Sequence, residues 1–125
     1  MDNVKDYSKA NIRIANAKHV LIEHCSISNA SQSGIEVSGS AGRVSKNRVD
    51  TAVGTAGIVG QANTGLMISE NVVSECANAG ILVYRRERGY DNTIITNNSL
   101  NKTRITKYCN MIKLSIPQKI KYLAI

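Results

Sequence analysis

Carboxylates are the first side chains to consider, because a hydrolase acting on sugars needs two of them placed close together. The nine carboxylates of the chain are Asp2, Asp6, Glu23, Glu36, Asp50, Glu70, Glu75, Glu87 and Asp91. Only Glu36 is expected to point outward from the first strand of the repeats described below. Val59 and Leu82 occupy the equivalent positions in the next two repeats. An isolated carboxylate beside aliphatic side chains makes a poor acid–base pair, so we predict no catalytic residue.

The longest segment between predicted strands is the second place to look for chemistry. It runs from Tyr84 to Asp91 and contains Arg85, Arg86 and Arg88. Loops carried on a rigid scaffold often hold binding residues. We therefore predict Tyr84, Arg85, Arg86 and Arg88 as ligand-binding residues, with an acidic polysaccharide as the ligand. The alternative is a solvated loop with salt bridges, and no aspartate cluster for calcium accompanies the arginines.

Histidine and cysteine do not indicate a metal site. His19 and His24 flank one predicted strand, and strand alternation places them on opposite faces. Cys25, Cys76 and Cys109 are an odd set without C-x-x-C spacing. We expect free thiols, no bound metal and no cofactor.

These side chains are positioned by a repeat. The pairs Gly34-Ile35, Gly57-Ile58 and Gly80-Ile81 recur at an interval of 23 residues, and a fixed period of this length indicates a solenoid. We expect the glycines to supply a positive φ before the first strand of each repeat. The isoleucines are expected to stack above one another in the interior.

A second motif lies between the Gly-Ile pairs. The form aliphatic-x-x-Asn-x-aliphatic occurs at residues 44–49, 68–73 and 95–100, and a copy at residues 22–27 has Cys25 in place of Asn. Each repeat then holds two short strands and two turns, with room for a third short strand. Strands stacked in parallel would bury one face. Stacked Asn side chains can hydrogen-bond along the stack axis.

These motifs resemble a known architecture. The G-I-x-V and I-x-x-N-x-I forms are similar to the right-handed parallel β-helix repeats of pectate lyases, polygalacturonases and alginate epimerases, over roughly residues 10–101. A closer resemblance, carried by residues 11–22, is to uncharacterised twin-arginine-translocated repeat proteins of alphaproteobacteria. The resemblance implies a fold and says little about activity, because the matching residues are structural.

The same resemblance raises the question of export. Family members would begin with a twin-arginine signal, whereas residues 1–6 are polar and mixed in charge. We therefore expect a fragment: an internal piece of a longer protein, or a split reading frame. The full-length relative would be periplasmic or exported, and this chain, expressed as written, would stay cytoplasmic.

Charge separates the chain into two regions. Residues 102–125 contain six Lys and Arg and no acid, so they carry +6, and residues 1–101 carry ten basic and nine acidic side chains, or +1. The near-neutral body has no basic stripe with aromatic residues, so no nucleic-acid partner is expected. No apolar run reaches the length of a transmembrane segment. The basic tail could be a helix or strand that caps the stack, a segment at a membrane surface, or a frame-shifted end.

We therefore predict an all-β fold: a short right-handed parallel β-helix of about four rungs, with an irregular or helical C-terminal tail. Residues 1–101 form the repeats and residues 102–125 the tail. The expected function is that of a non-catalytic scaffold within an exported repeat protein. The alternatives are a carbohydrate-active enzyme, such as a polyuronate lyase, hydrolase or epimerase, and an acidic-glycan-binding module. End-to-end self-association through uncapped rungs is a further expected contact.

Overall fold

The computed structural model describes residues 10–54, 56–85, 93–103, 105–109, 112–116 and 122–124. Every regular element in this part of the chain is a short β-strand. The strands are β1 (Ala10–Ala15), β2 (Val20–Glu23), β3 (Ser26–Ala30), β4 (Ser33–Ser38), β5 (Ala41–Ser45), β6 (Arg48–Ala52), β7 (Ala56–Gln61), β8 (Gly65–Ser69), β9 (Val72–Cys76), β10 (Ile81–Arg85), β11 (Thr93–Thr96), β12 (Ser99–Asn101), β13 (Ile105–Cys109), β14 (Ile112–Ile116) and β15 (Tyr122–Ala124).

The strands form three sheets, because each rung of the stack contributes one strand to each sheet. The first sheet has the order β1-β4-β7-β10-β13-β14, the second β15-β11-β8-β5-β2 and the third β12-β9-β6-β3. A rung therefore holds three strands, which corrects the division of each repeat into two. The Asn motif spans the end of the second strand, a corner and the start of the third strand, so its two aliphatic residues belong to different strands.

The isoleucines of the Gly-Ile pairs form one internal column. Ile35 pairs with Ile58, and Ile58 pairs with Ile81, in a parallel register. All three side chains are fully buried, and the column continues to Ile12 at one end and Ile105 at the other. The predicted interior stack is confirmed, and burial of each isoleucine contributes roughly 1.5–3 kcal/mol.

Asn47, Asn71 and Asn98 form a second column, which we call the Asn column, at the corner between the second and third sheets. Their exposed fractions are 2%, 1% and 4%. Asn47 Nδ2 donates to Asn71 Oδ1 at 3.0 Å, and Asn71 Nδ2 donates to Asn98 Oδ1 at 2.9 Å. The same two oxygens accept the backbone N–H groups of Asn47 and Asn71. The predicted hydrogen bonding along the axis is confirmed.

Each amide of the Asn column also ties its own rung to the preceding one. Asn47 Nδ2 donates to the Ile22 carbonyl oxygen at 3.0 Å, and Asn71 Nδ2 makes the equivalent bond to Val44. At the first rung, Cys25 contributes only its backbone N–H, which donates to Asn47 Oδ1. Buried polar groups must be hydrogen-bonded to be tolerated, and the column meets this requirement by repetition.

The residue before each Asn has a left-handed backbone. Lys46, Glu70 and Asn97 all have φ of 56°, and His24 before Cys25 has φ of 58°. Non-glycine residues adopt this region at a cost, so it marks a sharp corner that the surrounding bonds enforce. Because none of these residues is Gly or Pro, the usual sequence signal for a corner is missing here.

Gly34, Gly57 and Gly80 form a third column, which we call the Gly column. None of them has a positive φ, so the expectation that they supply one is wrong. A Cβ at Gly57 would lie 2.8 Å from the Gly80 carbonyl oxygen and 2.9 Å from Val73 Cγ1. Glycine is required because the first and third sheets approach too closely for any side chain.

The regular elements described within residues 102–125 are strands rather than helices. β13 extends the first sheet in parallel with β10, and β14 turns back antiparallel against β13. β15 pairs antiparallel with β11 in the second sheet. Two of the three sheets therefore end in an antiparallel strand.

Candidate functional site

The outer face of the first sheet holds the only outward carboxylate predicted for these strands. Glu36 pairs in register with Val59 and with Arg13, and its Oε2 lies 3.8 Å from Arg13 Nε. Val59 and Leu82, one and two rungs further along, are 3% and 9% exposed. These positions were expected to face solvent, but they belong to a second apolar cluster. Among the described residues, the row therefore provides the Arg13–Glu36 ion pair and a covered aliphatic surface rather than an open cleft.

Three of the other described carboxylates lie on the second and third sheets. Glu23, on the second sheet, accepts a hydrogen bond from Ser45 Oγ at 2.9 Å. Asp50, on the third sheet, accepts one from Ser74 Oγ. Glu75 is also on the third sheet, and its Oε2 lies 3.5 Å from the Nζ of Lys102, which follows β12. Glu23 and Glu36 lie on different sheets from Asp50 and Glu75, and each of the four has a polar or charged partner, which does not resemble the facing pair of carboxyl groups that glycoside hydrolysis needs.

Tyr84 is the one predicted ligand-binding residue whose side chain the structure describes. It is half-buried at the end of β10, packs against the second apolar cluster and donates through its hydroxyl to Gln61 Oε1 at 3.2 Å. The backbone of Arg85 completes β10. The Arg85 side chain, Arg86 and Arg88 lie outside the described residues, so the predicted ligand site stays a prediction.

A groove that sequence reasoning missed lies on the outer face of the second sheet. It has a volume of about 380 Å³, and its side-chain walls come from His19, Leu21, Arg43 and Met67. Register places Leu21, Arg43 and Met67 in one row across three rungs. Gly65, which also lines the groove, adds no side chain to fill it. Leu21, Arg43 and Met67 share no residue type, so the repeat motifs of the sequence did not indicate this groove.

The groove combines a cation with apolar contacts. Arg43 is exposed, and no ion pair joins it to a carboxylate of the described residues. Leu21 is 67% exposed, which is high for a large aliphatic side chain. The described residues that line the groove include no carboxylate, and the ionisable ones are Arg43 and His19. An arginine in such a setting can hold a carboxylate or sulfate group through paired N–H donors.

The histidines and thiols do not come together. His19 lines the groove, whereas His24 occupies the left-handed corner before Cys25. Cys25 and Cys76 are free, as predicted, and Cys109 lies outside the described side chains. Among the described side chains, no three His, Cys, Asp or Glu residues could share a metal ion.

Cys76 is the described residue whose pKa is shifted. Burial raises the pKa of its thiol, and the nearby Asp50 charge raises it further. Backbone hydrogen bonds at Ala52 and Gly57 lower the pKa but do not outweigh these effects. Because the thiolate is the reactive form, this raised pKa disfavours reaction at the Cys76 thiol.

Three sheets whose successive rungs pair in parallel, together with internal columns of Ile and Asn, define the chain as a parallel β-solenoid. A family model described as a right handed beta helix region matches residues 2–114. The chain belongs to this right-handed β-helix family. No curated protein and no solved structure matches the chain. The described residues contain no helix of the length and apolarity needed to cross a membrane.

Proposed function

We propose that the chain acts as a non-catalytic β-helix scaffold. The observation that carries this proposal is that the repeated residues are used in packing and in interstrand hydrogen bonds. The Ile column fills the interior, the Asn column ties successive rungs together, and the Gly column lets two sheets approach. A repeat whose regular positions are structural supports a scaffold rather than a catalytic cleft.

The distribution of acids supports the same proposal. Glu23, Glu36 and Asp50 lie on three different sheets, and each has a polar or charged neighbour on the adjacent rung. A glycosidase would hold two carboxyl groups roughly 5–10 Å apart across one sugar linkage. A lyase, hydrolase or epimerase would therefore have to use residues other than these three.

The test is a turnover assay on polyuronates and neutral glycans, scoring unsaturated products and new reducing ends. We expect no product above a boiled control. Turnover that Glu36→Gln abolishes, with the folded state intact by circular dichroism, would overturn the scaffold proposal. Glu70→Gln is the matched control, because Glu70 lies at an exposed corner.

We also propose that the scaffold belongs to an exported, twin-arginine-translocated repeat protein, with the periplasm or exterior as its site of action. The support is the resemblance of residues 11–22 to the first repeat of that family. Sequencing the flanking DNA tests this point. We expect an export signal upstream and further repeats downstream, and intact unrelated neighbouring genes would contradict it.

A second candidate function is acidic-glycan binding, which the groove on the second sheet favours. Arg43 would pair with a sugar carboxylate or sulfate while Leu21 and Met67 contact the ring. Retention on an immobilised acidic polysaccharide tests this proposal. We expect Arg43→Gln to reduce retention, and Arg48→Gln, which removes an exposed arginine from the third sheet, to leave it unchanged. Arg85→Ala with Arg86→Ala tests the predicted loop in the same assay.

A further inference from the structure

The outer face of the second sheet carries a continuous row of side chains, which we call the outer row. Leu21, Arg43, Met67 and Ile94 lie in register across four rungs. They alternate with buried aliphatic residues of the same strands, so all four point outward. Leu21 is 67% exposed, Arg43 is exposed, and the other two are half-buried. This face is therefore open at its first two rungs, unlike the outer face of the first sheet, where Val59 is 3% exposed.

Cations flank the outer row on both sides. Lys18 and His19 come directly before β2, and Lys46 directly follows β5. All three side chains are exposed. Among the described residues, neither these lysines nor Arg43 form an ion pair with a carboxylate. The first two rungs thus present three charged cations around the exposed Leu21.

Few acids oppose these cations. Glu23 is the carboxylate of β2, and Ser45 Oγ donates to it at 2.9 Å. The next described carboxylate on this side is Glu70, at the corner of the third rung. The third sheet and its flanking residues are balanced instead, with two cations and two carboxylates: Arg48, Lys102, Asp50 and Glu75. The first two rungs of the second sheet therefore carry the excess positive charge.

The basic tail joins the same sheet. Residues 102–125 contain six Lys and Arg and no acid. Their last strand, β15, pairs with β11 and so extends the second sheet. The charge of the tail and that of the outer row have the same sign, and both favour a negatively charged partner.

The apolar members of the outer row decide which anionic partner fits. Nucleic acids and polyuronates present charge along their whole length and offer no apolar surface to Leu21. Sugar rings pack best on aromatic side chains, and the described lining of the groove contains none. An anionic bilayer offers both kinds of contact, because its charged headgroups lie directly above hydrocarbon. Exposed apolar residues rimmed by polar ones are typical of such contact surfaces.

We propose that the outer row docks the protein on an anionic lipid membrane surface. Leu21 enters the boundary between headgroups and acyl chains, and the flexible Met67 side chain packs beside it. Arg43, Lys18 and Lys46 contact lipid phosphate groups. Because the row runs along the stack, the solenoid axis lies parallel to the membrane. This goes beyond the scaffold function, since it states where the scaffold is held.

The experiment is vesicle co-sedimentation of the whole chain. One set of vesicles contains equal parts of phosphatidylcholine and phosphatidylglycerol, and the other contains phosphatidylcholine alone. We expect binding to the mixed vesicles only, weakened by added salt. Arg43→Gln should weaken binding about fivefold, as for loss of one cation at an anionic surface. Leu21→Ser should weaken it by about fivefold or more, through loss of buried apolar surface.

Two matched variants serve as controls. Arg48→Gln removes an exposed arginine from the third sheet, and Val53→Ser removes an aliphatic side chain that is 62% exposed after β6. Both should bind mixed vesicles like the unchanged chain. Circular dichroism checks that every variant is folded, which is expected because all four side chains are exposed.

Three results would overturn the proposal. The first is absence of binding to the mixed vesicles. The second is equal binding of Leu21→Ser, Arg43→Gln and the two controls, which would assign any vesicle contact to the basic tail. The third is an Arg43→Gln variant that loses retention on acidic polysaccharide but keeps its vesicle binding, which would assign the groove to a glycan.

Discussion

The Asn column and the Gly column are both read from the sequence as periodic residues, yet they are required for opposite reasons. Each Asn is required for what it adds, since the side chain and backbone N–H of Asn71 take part in five hydrogen bonds that link three rungs. Each Gly is required for what it lacks, since a Cβ at Gly57 would meet a carbonyl oxygen at 2.8 Å. One column is held by directional polar contacts and the other by close approach.

This difference separates two ways in which a solenoid keeps its register. A hydrogen-bonded column tolerates no residue without the right donor and acceptor, because the interior offers no water to replace them. A tightly packed column tolerates no added volume, whatever its polarity. The two columns should therefore respond differently to substitution.

The largest effect is expected for Asn71→Leu, which keeps the branched shape of the side chain and removes the amide. It would leave the Asn47 N–H and one Nδ2 hydrogen of Asn47 without an acceptor, and it would remove the side-chain donor to the Val44 carbonyl. At about 1–3 kcal/mol for each buried group, we expect a loss of about 4 kcal/mol in the free energy of unfolding. Urea unfolding measures it. Asn101→Ala is the control, since that side chain is exposed at the edge, and a similar loss there would contradict the account.

Gly57→Ala is expected to cost less, about 1–3 kcal/mol, because it forces the first and third sheets apart without leaving a polar group unpaired. Gly65→Ala is its control. A Cβ at Gly65 would meet only Ala41 Cβ at 3.7 Å, which is ordinary contact. We expect its unfolding midpoint in urea to stay close to that of the unchanged chain. Equal costs at the two positions would show that close approach is not what Gly57 provides.

Cys25→Asn should stabilise the chain by about 0.5–1.5 kcal/mol, by extending the Asn column to the first rung. The new Nδ2 would donate to Asn47 Oδ1, which at present accepts only the Cys25 N–H among the described residues. Cys25→Ala separates loss of the thiol from gain of the amide and should give no stabilisation. A midpoint for Cys25→Asn no higher than that of Cys25→Ala would break the analogy with Asn47.

The smallest effect is expected at the corner between the first and second sheets. There Asn16, Gly39 and Ala62 share a left-handed backbone conformation. Ala62 has φ of 50°, so Ala62→Gly should stabilise by about 0.5 kcal/mol through relief of backbone strain. Ala41→Gly, in a strand with ordinary φ, should destabilise by about 0.5–1 kcal/mol. Thermal unfolding of the two variants checks the predicted opposite signs.

Much of the fold follows from the sequence because the interior columns are periodic. The stacking of Ile35, Ile58 and Ile81 and the bonds of the Asn column could both be predicted from spacing alone. The sequence did not show clearly that the Asn motif joins two strands, the second and the third of each rung. Its corner is made by Lys46, Glu70 and their counterparts, whose left-handed backbone is imposed by the ladder rather than by Gly or Pro.

The candidate site was much less predictable. Strand alternation predicts that Val59 and Leu82 are exposed, but tertiary packing buries both side chains. The groove at Arg43 and Met67 depends on which side chains stand side by side across three rungs and on the lack of a side chain at Gly65. Sequence motifs record the inward columns, which repeat, and not the outward rows, which do not.

The most direct test of the claim that the Asn column acts as one hydrogen-bonded unit is a double-mutant cycle between Asn47 and Asn71. Asn47→Leu, Asn71→Leu and the double variant would be unfolded in urea, with an osmolyte present to keep each one folded at the start. We expect the double variant to lose at least about 1 kcal/mol less than the sum of the single losses, because neighbours in one network are coupled. Losses that add to within about 0.5 kcal/mol would contradict the claim.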